Sequence, residues 1–334
     1  MTSTRRPGGA RRTTLTAALS ALLATGLAAS LAPAPGTAAA PPDDVFPPRI
    51  ELPDGFQPEG ITIGRGATAW FGSRADGDVY EVDLRTGDGE TISQGPGPGN
   101  PAVGLKVDQL GRLFVSGGTA GDARVVDTRT GELLVRYQLS SAADRFINDS
   151  LITDDTVWFT DSRSARLFGL PLGPGGTLPA ADEVVTVPLG GEWVQPAVGV
   201  NGANGLTETP DGRALLVVNA GTLYRVDPGT GDARVVDLGG ASVVNGDGML
   251  LRGRTLYVVQ NFRNQVAVLR MDRDGRSGEL VDTIADTDFD AEVDIPTTVA
   301  AFGPWLYLPN ARFSTPATPE TPYWVTRARI PRTR

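Results

Sequence analysis

Glu59, Asn148, Asn204 and Asp247 lie far apart in the chain, yet each stands directly ahead of a short apolar segment: EGI (59–61), NDSL (148–151), NGL (204–206) and DGM (247–249). All four side chains end in oxygen. Two carboxylates and two amide carbonyls brought to one point make a site for a hard cation, and two negative charges balance Ca2+. Four protein oxygens leave roughly two to four places of a calcium shell to water or substrate. An incomplete protein shell is what a catalytic metal centre needs. Other divalent cations could enter such a site, but all-oxygen donors favour calcium over zinc. The glycine that follows Glu59, Asn204 and Asp247 reads as a residue that lets the backbone turn sharply there.

Composition narrows the chemistry from the other side. The 334 residues include no cysteine and no histidine. That removes thiolate nucleophiles, disulfides, Ser-His-Asp triads and imidazole bases. What remains is carboxylates, amides, hydroxyls, arginine, water and a hard metal. A formal charge of −9 lacks the basic footprint that nucleic acid requires, so no nucleic-acid partner is expected. A small-molecule substrate and a monomer are.

The four residues must be positioned by a repeat. One phrase recurs six times: a short apolar strand, a turn, then a strand rich in aromatic and β-branched residues, a gap and a third strand. Copies start at Ile61, Leu105, Leu151, Leu206, Met249 and Val299. A propeller blade takes roughly 40–50 residues, which four of the five intervals match and the Leu151–Leu206 interval exceeds slightly, and helical periodicity is almost absent. The expectation is an all-β, six-bladed β-propeller. RIEL (49–52) would supply the outer strand of the last blade and close the ring, removing an exposed edge. Trp70, Phe114, Trp158, Tyr257 and Tyr307 recur at one position and read as inter-blade core. The repeated D-x-x-T-G segments read as hairpin turns, not calcium loops.

In such a ring the first strand of each blade lines the channel, so the residue before it points to the axis at one face. The second strand returns to that face and ends at Ser73, Ser116, Asp161, Asn219, Asn261 or Asn310. Asp161, Asn219, Asn261 and Asn310 are therefore candidates to orient ligands or touch substrate. Asp149 is a further acid beside the site, and Trp193 and Phe262 are candidates for an apolar wall.

Residues 1–39 read as a signal peptide, ahead of a single propeller domain over 40–334. Arg5, Arg6, Arg11 and Arg12 form a basic start, Leu15 to Ala32 an apolar run, and Thr37-Ala38-Ala39 a cleavage site. The Sec route is expected, with the Arg11-Arg12 pair raising the twin-arginine route as a lesser alternative. Removing four arginines takes the charge from −9 to −13. No later segment is apolar enough to cross a bilayer, so the mature chain is expected to be secreted.

PEGI (58–61), FINDSLITDDTVWFTDS (146–162), NGLTETPDGRALLVVN (204–219) and NGDGMLLRGRTLYVVQN (245–261) resemble the regucalcin/senescence-marker-protein/gluconolactonase family of calcium-dependent six-bladed propellers. The resemblance extends over most of residues 46–332. It implies that Glu59, Asn148, Asn204 and Asp247 are metal ligands, with Asp247 as base or nucleophile and Glu59 balancing charge. Regucalcin-type chains carry an arginine two residues before the Asn148 position. Phe146 stands there, and Arg145 one step back is the nearest candidate for substrate contact. The activity implied is calcium-dependent hydrolysis of a lactone or ester. The competing reading is a non-catalytic extracellular propeller that calcium only rigidifies.

Overall fold

A computed structural model describes residues 45–332; the signal-peptide reading falls outside them. Among the described residues six sheets, each built on four antiparallel strands, form the blades. Blade 1 runs Pro58–Ile63, Thr68–Ser73, Val79–Asp83 and Gly89–Ser93 from inside to outside. Blades 2 to 5 repeat that order with inner strands Leu105–Val107, Ile147–Ile152, Ala203–Glu208 and Gly246–Arg252. Blade 4 gains a fifth, two-residue strand, Gly190–Gly191, parallel to its outer edge. Blade 6 has three strands of its own, Ala300–Phe302, Trp305–Pro309 and Tyr323–Arg329. Its outer strand is Arg49–Leu52, which pairs antiparallel with Tyr323–Arg329. The protein is thus a six-bladed β-propeller whose N-terminal strand closes the ring.

Six apolar clusters hold the blades together, one per junction, and each contains the residue at the recurring second-strand position. Trp70 packs with Leu105 and Leu113 between blades 1 and 2. Phe114, Trp158, Tyr257 and Tyr307 do the same at four other junctions. At the blade 4–5 junction the position is Leu216. These side chains are nearly inaccessible, and burial of this kind is the main favourable term in folding. The repeated D-x-x-T-G segments are turns: Asp83, Asp127 and Asp227 accept backbone N–H bonds from residues two or three further on.

The inner strands share an irregularity. In blade 1, Pro58 faces Ser73 and Ile61 faces Phe71, so Glu59 and Gly60 together oppose one residue. The same bulge occurs at Asn148-Asp149, Asn204-Gly205 and Asp247-Gly248. A bulge frees its residue from the ladder and re-aims the side chain. It also shifts one expectation: Ser150, not Leu151, occupies the register of Ile61, because Ser150 pairs with Phe159 as Ile61 pairs with Phe71.

Candidate metal centre

The bulges bring all four oxygen-bearing side chains to one place. Glu59, Asn148, Asn204 and Asp247 line a cavity of about 630 Å3 at the channel mouth. Glu59, Asn148 and Asp247 are buried, and Asn204 is half-buried. A larger cavity of about 730 Å3 opens at the opposite ends of the inner strands, around Ile63, Val107 and Ile152. Its Asp108 is already paired with Arg112 at 2.6 Å, and its other amide and carboxylate side chains, Gln109, Asp154 and Glu208, are exposed or half-buried, unlike Glu59, Asn148 and Asp247 at the channel mouth.

The glycines after Glu59, Asn204 and Asp247 have a different job from the one expected. Gly60, Gly205 and Gly248 do not adopt a left-handed φ. Instead each touches the next blade. A Cβ on Gly60 would lie 2.2 Å from the Val103 carbonyl oxygen, on Gly205 2.3 Å from that of Asp247, and on Gly248 2.0 Å from Thr298 Oγ1. The bulges abut in a ring, which hydrogen bonds continue. Gly104 N donates to Asn148 O, Thr160 Oγ1 to Asn204 O, Gly248 N to Thr297 O, and Thr297 Oγ1 to Glu59 O.

Each of these side chains is oriented separately. Asn148 Nδ2 donates to Ser162 Oγ (2.9 Å), and Ser162 in turn donates to Ala203 O (2.5 Å). This leaves Asn148 Oδ1 buried with no partner. Asp247 Oδ2 accepts from Asn261 Nδ2 at 2.7 Å, and the Asn204 side chain also hydrogen-bonds the carboxylate. Burial outweighs these bonds and, with Asp149 nearby, pushes Asp247 up to about 7. Glu59 is held well above the usual carboxylate range by burial first, then by repulsion from Asp247 and Asp149. Asp149 lies 3.5 Å from Lys106 Nζ, the ammonium of the chain's single lysine, and its Oδ2 is buried without a partner.

A positive charge placed between these crowded buried carboxylates and the unpartnered Asn148 amide oxygen would relieve their repulsion and give that oxygen a partner. Among the described residues no group of three or more His, Cys, Asp or Glu is placed to hold a metal ion; half of the present donor set is amide. The residues therefore fit a calcium-like cation in donor chemistry and charge.

The ring at the second-strand ends divides. Asn261 lines the cavity. Asp161 instead accepts from Phe146 N, Arg163 N and Ser164 Oγ, closing a turn. Asn310 binds the backbone of Asp294 and Trp324 and the Thr326 hydroxyl. Asn219 reaches Val194 O, and Arg145 reaches Ala142 O. These four serve the loops and do not line the cavity. Trp193 packs on Tyr224 and lies outside it, whereas Phe262 lines it. Missed entirely were Arg74, Arg163 and Phe313, which also line it. Each sits one to three residues past the second-strand ends at Ser73, Asp161 and Asn310, and that position was the available signal.

The molecule belongs to the class of six-bladed β-propellers, with an oxygen-lined channel mouth. No protein-family model and no curated protein matches the sequence. Solved structures do match in fold. The Malassezia sympodialis allergen Mala s 1 is 13% identical, with 84% of this chain and 96% of that one covered and a TM-score of 0.62. A calcium-binding protein, regucalcin, from Agrobacterium tumefaciens is 18% identical (86% and 98% covered, TM-score 0.59). Virginiamycin B lyase from Staphylococcus aureus is 13% identical (84% and 99%, TM-score 0.57).

Proposed function

We propose that the protein is an exported, divalent-cation-dependent hydrolase of a lactone or ester, with calcium the preferred ion. The observation that carries this reading is the meeting of four oxygen donors, each from a bulge in a different blade, in one cavity. Glu59, Asn148, Asn204 and Asp247 would hold the ion. Once bound, it would polarise the substrate carbonyl and stabilise the oxyanion that develops.

The chain's own residues supply the rest. Asp247 is the base: its carboxylate takes a proton from water at the carboxylate oxygen, and the Asn261 amide holds it in orientation. Glu59 contributes charge. Ser162 keeps the Asn148 amide oxygen turned into the cavity. Burial of these groups excludes bulk water and strengthens every interaction among them. The similarity to a structure named calcium-binding supports the ion; the leader-like residues 1–39 support export to a calcium-rich exterior.

A panel of lactones and aryl esters, assayed with calcium and with chelator, tests the proposal. Calcium-dependent turnover that disappears in Asp247→Asn is the expected result. Calcium-dependent stabilisation with no turnover of any member would replace it with the binding-propeller reading.

A further inference from the structure

The cavity has a feature that neither a cation nor a reacting carbonyl uses: its wall is basic, in a chain of net negative charge. Arg74, Arg163 and Arg312 all line it. Arg312 is committed elsewhere, with Nε 3.0 Å from Asp294 and Nη1 donating to Pro322 O. Arg74 is not. Among the described residues no acid lies within ion-pair distance of its guanidinium, which rests 4.8 Å from the centre of the Phe313 ring. Its charge still reaches the floor of the cavity, where it eases ionisation of both Glu59 and Asp247. Arg163 keeps Nε 3.5 Å from Asp144 and leaves Nη1 buried and unpartnered. Beside them Phe262 and Phe313, 59% and 40% exposed, face each other with ring centres 6.3 Å apart.

A guanidinium laid on an aromatic ring is pre-oriented, and its free N–H edge matches a carboxylate in a two-pronged bond. Two exposed phenylalanines offer an apolar surface of the kind that ligand sites use. A neutral, fully polar sugar lactone would use neither feature. We infer that the site takes an organic monoanion with an apolar body: a carboxylate-bearing ester or lactone. Its carboxylate binds Arg74 with support from Arg163, and its body lies against Phe262 and Phe313. The choice of reacting bond rests on the hydrolase reading above; the binding preference does not.

The test uses a matched pair, 4-acetoxybenzoate and its methyl ester, with the calcium-loaded protein. The wild type should show a KM for the anion about tenfold below that for the methyl ester. Arg74→Gln should erase most of that gap by raising the KM of the anion, and Arg163→Gln should erase part of it, with melting temperatures unchanged. Calorimetric titration with 4-hydroxybenzoate, against its methyl ester, reads binding without turnover. Arg74-dependent binding of 4-hydroxybenzoate, with no turnover of either ester or of any member of the lactone and ester panel, supports this inference and removes the hydrolase reading. Hydrolysis of both esters with equal KM, or an anion preference that survives Arg74→Gln, overturns the inference and leaves the hydrolase reading standing. Failure of 4-hydroxybenzoate to bind the wild type also overturns it.

Discussion

Asp247→Asn should stabilise the metal-free protein, but only at neutral to alkaline pH. The Asp247 carboxyl titrates near 3.8 in an unfolded chain and is pushed up to about 7 in the fold. A carboxyl raised in this way favours folding fully below the lower value. That contribution is lost as pH climbs through the higher one, because the folded state must then give up a proton it holds more tightly. Each unit is worth about 1.4 kcal/mol, so ionising Asp247 in the empty site costs up to about 4 kcal/mol by pH 8. Glu59 titrates with it, so the steps belong to the pair, and about 2–4 kcal/mol is the range to expect. Asparagine keeps the acceptor that Asn261 needs and carries no charge. At roughly 2 °C per kcal/mol for a domain of this size, the variant in chelator at pH 8 should melt about 4–8 °C above wild type, and level with it at pH 4. Calcium should raise the wild-type melt at pH 8 and leave the variant nearly unmoved. A variant that melts with or below wild type at pH 8 in chelator would refute the claim that the floor of the cavity stores uncompensated negative charge.

Other substitutions test the parts that position the ligands. Gly205→Ala forces a methyl against the Asp247 carbonyl; a loss of about 1–3 kcal/mol, read by urea denaturation, should accompany weaker calcium binding. Ser162→Ala releases the Asn148 amide, and calcium affinity measured by calorimetry should fall about tenfold with a small change in melting temperature. Ile50→Ala thins the strand that closes the ring and should cost about 2–5 kcal/mol. Hydrogen exchange should then show the lost protection concentrated at Arg49–Leu52 and Tyr323–Arg329.

The blades, and the four oxygen-bearing side chains that line one cavity, were readable in the linear sequence because both repeat. A strand phrase that returns six times exposes its own register, and Glu59, Asn204 and Asp247 share one offset within it, with Asn148 one residue off. Blade 3 slipped by one because Ser150 is polar where the other copies are apolar. The glycines were assigned to a turn because close approach of two blades is a tertiary fact, invisible at Gly60 or Gly205 alone. Asp161, Asn219 and Asn310 were misread because Asp and Asn at a strand end satisfy loop backbone as readily as they face a ligand. Arg74, Arg163 and Phe313 follow the second-strand ends by one to three residues, so the repeat marked their place but not their residue types.

The central claim is that one divalent cation sits between Glu59, Asn148, Asn204 and Asp247. Crystals of the protein grown in calcium and measured for anomalous scattering test it directly. The account predicts a single strong peak at the channel mouth, about 2.3–2.6 Å from an oxygen of each side chain, and no such peak in Asp247→Ala crystals. A well-ordered cavity with those four side chains in place and no peak between them would contradict it.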